Sequence, residues 1–84
     1  MVLPSLLERL PVQTPATIVA IDRAGIDPDT ARRLHELGFD EGVDVELLHL
    51  APFGDPMAVR VGNMVVALRR SMARLIEVDA RAPG

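Results

Sequence analysis

At 84 residues, 49 % hydrophobic and 25 % charged, the chain has the size and composition of one small globular domain, not of a disordered segment. Its nine basic residues, all arginine, against twelve acidic ones leave a formal net charge of −3, and Phe39 and Phe53 are its two aromatics, which argues against nucleic acid as a partner. The absence of cysteine excludes disulfides, zinc ribbons, iron–sulfur ligation and thiol nucleophiles, and the absence of lysine excludes a Schiff base or a P-loop.

The start, Met1 to Arg9, lacks the basic segment and apolar core of a signal peptide. No apolar run approaches the ~18–20 residues that span a bilayer. A cytoplasmic protein without direct membrane insertion is expected. Ser5 is expected to cap a short turn over Leu6 to Leu10 that Pro11 closes, and prolines at 4, 11 and 15 keep the first fifteen residues extended or turning. Ala16 to Asp22 is rich in β-branched residues and reads as a strand buried on much of both faces. In Asp27-Pro28-Asp29-Thr30 an N-cap aspartate precedes a proline at the first helical position. Ala31, Leu34 and Leu37 then share one face, which predicts a helix over Pro28 to Leu37. Gly38 suits the left-handed position that ends it, with Phe39 packing back on Leu34.

After Asp40-Glu41-Gly42 the period changes to two. Val43, Val45 and Leu47 point one way and Asp44 and Glu46 the other, a strand that ends near Leu50. Pro52 to Pro56 is a loop. Met57, Val59 and Val61 mark the next strand, Gly62-Asn63 a hairpin turn in which both residues tolerate positive φ, and Met64 to Arg69 the return strand. Ser71-Met72-Ala73 forms one tight turn, Leu75 to Val78 a last strand, and Arg81 to Gly84 a frayed tail. Five strands and one inserted helix predict a mainly β fold, a small antiparallel barrel with its core over residues 16–79 and with 1–15 and 80–84 peripheral.

Four sets of residues invite a functional reading. Gly54, Asp55 and Pro56 suit a recognition loop, or simply the chemistry of a turn. Arg32, Arg33, Arg69 and Arg70 suit an acidic partner surface, or ion pairs with Asp29, Glu36 and Asp55. His35 and His49 are the two histidines and the weak candidates for a metal. His35 and Glu36 diverge by about 100° on a helix and do not chelate together. Leu48, Leu50, Pro52, Phe53, Val65 and Ala67 fall on the outward side of the alternation, as a docking face or as the mark of a twist or bulge after Leu47. Self-association through a strand edge would fit the same residues. No Ser–His–acid set, phosphate loop or hydrolase spacing is present, so catalysis is not expected.

The segment Arg32-Arg33-Leu34-His35-Glu36-Leu37-Gly38-Phe39-Asp40-Glu41-Gly42 resembles the helix and turn of the FeoA family of bacterial ferrous iron transport proteins. Ala51-Pro52-Phe53-Gly54-Asp55-Pro56 is similar to that family's loop, Ala67-Leu68-Arg69-Arg70 with Ala73 to its strand and turn, and Ile76-Glu77-Val78 to its closing strand. The resemblance spans Ala16 to Val78. It departs at Val12-Gln13-Thr14-Pro15, where the family usually carries a glycine, and this bears on the first turn. The resemblance implies an SH3-like barrel in which Leu34, Leu37, Gly38, Gly42, Leu68 and Ala73 are structural. It implies a non-catalytic accessory of the FeoB-type membrane GTPase transporter, held at the inner face of the membrane through that partner. Arg33, Leu48, Leu50, Phe53, Gly54, Asp55, Pro56 and Arg69 are the candidate docking residues. No cofactor is implied beyond transient Fe2+. A small protein that binds Fe2+ itself is the alternative, and a general SH3-like interaction module a third reading, although Tyr and Trp, which line Pro-rich peptide grooves, are absent. The same module ends iron- and manganese-dependent repressors behind a helix-turn-helix domain, for which 84 residues are expected to leave no room.

Overall fold

A computed structural model describes residues 4–80 of the chain. The elements are β1 (Pro4–Leu6), a 3-10 turn (Leu7–Arg9), β2 (Pro15–Ile21), α1 (Pro28–Glu36), β3 (Asp44–Leu50), β4 (Met57–Val61), β5 (Met64–Leu68), α2 (Arg70–Ala73) and β6 (Ile76–Ala80). The six strands form one antiparallel sheet in the order β1-β6-β2-β3-β4-β5. Its inner face wraps a core in which Phe39, Ile18, Leu34, Leu47, Met57 and Leu68 are fully buried.

Local sequence dictates α1. The Thr30 N–H donates to Asp27 Oδ2 at 3.2 Å and its hydroxyl donates to Oδ1 at 2.6 Å, with Pro28 at the first turn. Those bonds, the hydroxyl's first, hold the Asp27 carboxyl below its ordinary value of 3.8. At the other end the Gly38 N–H donates to His35 O and the Phe39 N–H to Leu34 O, both at 2.9 Å. This Schellman arrangement requires the left-handed φ of +97° at Gly38. It turns Phe39 into the core beside Leu34.

Five expectations are corrected. The sheet has six strands, not five: β1 pairs Pro4 with Asp79 and Leu6 with Glu77, a partner at the far end of the chain that local pattern cannot reveal. The core reaches past the expected boundary at residue 16, because Leu7 and Leu10 are buried in it. Ser5 does not cap the first turn: its hydroxyl donates to Leu6 O, and Leu6, without a side-chain bond, stands at the cap. β2 buries one face, Ala16 and Ile18, while Val19 is exposed, and a bulge between Ile18 and Ala20 ends the alternation. In the β4–β5 hairpin only Gly62 has positive φ (+58°), as the first residue of a II′-type turn does, so Asn63 is in ordinary backbone. The tail at 81–84 lies outside the described residues.

Gln13 stands at φ +63°, the one described non-glycine residue with positive φ, and its N–H donates to Leu47 O at 2.6 Å. It lies in the segment where the resembled family usually carries glycine.

Candidate docking surface

The loop between β3 and β4 begins with a tight turn. The Gly54 N–H donates to Ala51 O at 2.7 Å, which puts Pro52 and Phe53 at the two central positions, proline in the place its φ favours. The Ala51 N–H donates to Pro56 O at 3.0 Å and ties the two arms together. Asp55–Pro56 is a cis peptide bond, and Gly54 has φ +84°.

The loop is braced from α2. Asp55 Oδ1 accepts from the Arg70 N–H at 3.0 Å, so the carboxylate serves an orphan amide at the start of that helix. Arg70 Nη1 donates to Gly54 O at 3.2 Å. Arg70 Nε also pairs with Glu8 at 3.3 Å, and Arg74 Nε pairs with the same carboxylate at 3.4 Å. The Glu8 side chain is only 11 % exposed, which shields these ion pairs more than the others on the surface. Glu8 and Arg70 are 62 residues apart, and sequence reading gave Glu8 no such role. Nothing in the spacing could have supplied it.

On this braced turn Phe53 is 99 % exposed. An aromatic ring held at the tip of a restrained loop keeps its apolar face in water, where a partner's pocket would release that water at little ordering cost. Beside the loop an open cleft of about 280 Å³ is lined by His49, Ala51, Pro56, Ala58, Val65 and Ala67. The row His49–Ala58–Ala67 crosses β3, β4 and β5 on the outer face.

The expected outward pair Leu48 and Leu50 is split. A bulge between Leu47 and His49 makes Leu48 the extra residue and resets the alternation. His49 then stands opposite Ala58 on the outer face, and Leu50 stands opposite the buried Met57. Leu48 is half-buried, while Leu50, at the rim, stays 42 % exposed. Val65 and Ala67 are exposed.

The arginines have different surroundings. Arg32 reaches Asp29 at 3.9 Å and Arg70 belongs to the loop brace. Arg33 and Arg69 are exposed in separate clefts, Arg33 among Asp29, Glu36 and Met72, and Arg69 among Asp55, Pro56 and Ala67.

The two histidines also lie in different clefts. His35 Nδ1 is 2.9 Å from Asp40 Oδ1. That hydrogen bond, and then the carboxylate's charge, raise the imidazole above its ordinary 6.5. Among the described residues no three His, Asp or Glu side chains converge as metal ligands do. Among them, too, no helix is long and apolar enough to cross a membrane.

An antiparallel six-stranded sheet wrapped on one core, with one loop braced by Asp55, Arg70 and Glu8, defines a small β-sheet module of the SH3 kind. The FeoA domain matches residues 6–80, and the chain belongs to the FeoA domain family, which is associated with ferrous iron transport. The FeoA of Stenotrophomonas maltophilia, solved with zinc and described as a prokaryotic SH3 domain protein, is 36 % identical over 94 % of this chain and 89 % of its own, with a TM-score of 0.75. Iron(II) transport protein A from Clostridium thermocellum is 33 % identical, with a TM-score of 0.83, over 90 % of this chain and 45 % of that one. FeoA from Chlorobium tepidum is 31 % identical, with a TM-score of 0.82, over 93 % of this chain and 71 % of its own. The chain thus spans less than half the length of the Clostridium protein. None of the curated proteins matches the sequence.

Proposed function

We propose that the chain is a non-catalytic accessory of ferrous iron uptake, working on the cytosolic side by docking on the soluble part of a FeoB-type GTPase transporter. The observation that carries this reading is Phe53, 99 % exposed on a turn braced by Arg70. Buried aromatic and arginine anchors recur among the hot spots of protein interfaces. Restraint of the loop lowers the ordering cost of using it. The apolar cleft beside it extends the contact, and Arg69 adds a cation at its margin. Family membership supplies the choice of partner.

The test is capture of the transporter by tagged chain from detergent-solubilised membranes of its own source, with and without guanine nucleotide, identified by mass spectrometry. Wild type is expected to recover the transporter. Phe53→Ala is expected to lose at least tenfold in recovery at an unchanged thermal midpoint, and Arg69→Ala to lose less. Recovery by Phe53→Ala equal to wild type would remove this surface from the docking site. Absence of the transporter in every nucleotide state, with the chain folded, would overturn the reading. An anaerobic ferrous titration would then decide whether the chain binds the ion itself.

A further inference from the structure

One edge of the sheet is blunted and the other is not. β1 has three residues and begins with Pro4, a short edge that pairs poorly. β5 has five residues, Met64–Leu68, with neither charge nor proline. Val65 is 61 % exposed there, beside an exposed Ala67.

The existing ladder fixes which backbone groups of β5 face outward. The Gly62 N–H donates to Asp44 O on the β3 side at 3.1 Å. Successive residues of an antiparallel strand turn their N–H and C=O to opposite sides. Val61, Val59 and Met57 therefore face β5, and their partners Met64, Val66 and Leu68 face back. The N–H and C=O of Val65 and Ala67 are left aimed at the open edge. Among the described residues no hydrogen bond reaches them.

We propose that β5 pairs with β5 of a second copy of this chain, antiparallel about a two-fold axis at Val66, joining two sheets into one. The edge is complementary to itself. With the axis at Val66, Val65 meets Ala67 of the second copy, and every outward N–H and C=O of both residues gains a partner. Charge supports the same occupant. The outer row His49–Ala58–Ala67 runs on into Val65, Arg60 and Glu46 of the second copy, so the seam joins uncharged residues. Arg69 falls opposite Asn63 of the second copy rather than opposite another cation. An unrelated acidic or basic peptide would find no counter-charge within β5. A pair of five-residue strands buries less than the roughly 1,200 Å² of a standard interface, so the dimer forms reversibly and in a concentration-dependent way.

Sedimentation velocity with interference optics, from about 10 µM to about 1 mM, reads the association directly. Wild type is expected to shift from monomer towards dimer across that range. Ala67→Pro removes an outward N–H and leaves the β4 ladder intact, and is expected to remain monomeric. Two double variants test the register. Val65→Glu with Ala67→Glu sets like charges across the seam, and Val65→Glu with Ala67→Lys sets opposite ones. The first is expected to associate at least tenfold more weakly than the second. Circular dichroism confirms that each variant is folded, and if Ala67→Pro is not, the double variants decide. Wild type that stays at monomer mass at about 1 mM, or double variants that associate equally, would overturn the proposal. Capture of the transporter is a separate measurement, so either proposal can fail alone.

Discussion

Gln13 occupies the left-handed region at φ +63°, held there by its N–H bond to Leu47 O. That conformation costs a residue with a Cβ about 1–2 kcal/mol. Glycine escapes this cost but loses more freedom on folding, by about 0.5–1 kcal/mol. Gln13→Gly is therefore expected to stabilise the fold by about 0.5–1 kcal/mol, a rise of a few degrees in thermal midpoint that calorimetry would read. A fall would mean that the Gln13 side chain contributes more than the backbone loses. His35 offers a second test at this scale. Its bond to Asp40 raises the folded imidazole above 6.5, so the native state holds a proton that the unfolded chain gives up. The stabilisation is complete below pH 6.5 and is lost as pH rises through the raised folded value. NMR titration of the His35 ring is expected to give a midpoint above 6.5 that falls back in Asp40→Asn. A midpoint indifferent to Asp40→Asn would show that the pair does not hold in solution.

At the scale of elements, legibility follows how local the cause is. α1 could be read almost to the residue because its start and stop are made by its own neighbours, Asp27, Thr30 and Gly38. The β4–β5 hairpin was legible for the same reason. β3 follows its alternation up to Leu47; the apolar Leu48 and Leu50 on the outward side left a docking face and a bulge both open, and the structure has the bulge, whose extra residue Leu48 reverses every assignment after it. Of the candidate site, the loop was visible as a turn, with Gly54, Asp55 and Pro56 in place. Its brace was invisible, because Arg70 and Glu8 come to it from distant parts of the chain. The brace makes a prediction about the element. Asp55→Ala removes the acceptor for the Arg70 amide, one exposed hydrogen bond worth about 1 kcal/mol. Global stability is expected to fall by about that much, while the Arg70 amide exchanges hydrogen several-fold faster. Unchanged exchange at Arg70 would show that Gly54 and Glu8 hold α2 and the loop without the carboxylate.

At the scale of the whole molecule, the fold is closed by its ends. β1 pairs with β6, the 3-10 turn packs on α2, and Leu7 and Leu10 complete the core that β2 through β6 surround. The sequence pattern leaves these leucines outside the barrel because Leu6, Leu7 and Leu10, between Pro4 and Pro11, make a run too short to show which core it joins. A small domain has few layers of core to lose, and total stabilities of about 5–15 kcal/mol leave little margin. Leu7 is fully buried, so Leu7→Ala is expected to cost about 2–5 kcal/mol, as much as Leu34→Ala in the middle of α1. The partly exposed Leu50, changed to alanine, is expected to cost less than either, because much of its side chain already meets water. Urea unfolding of the three variants would rank them. If Leu7→Ala cost under about 1 kcal/mol, the N-terminal segment would be an attachment to a barrel that stands without it. A cost equal to that of Leu34→Ala would make the segment part of the cooperative unit. The Glu8 brace next to Leu7 would then link the stability of the core directly to the presentation of Phe53.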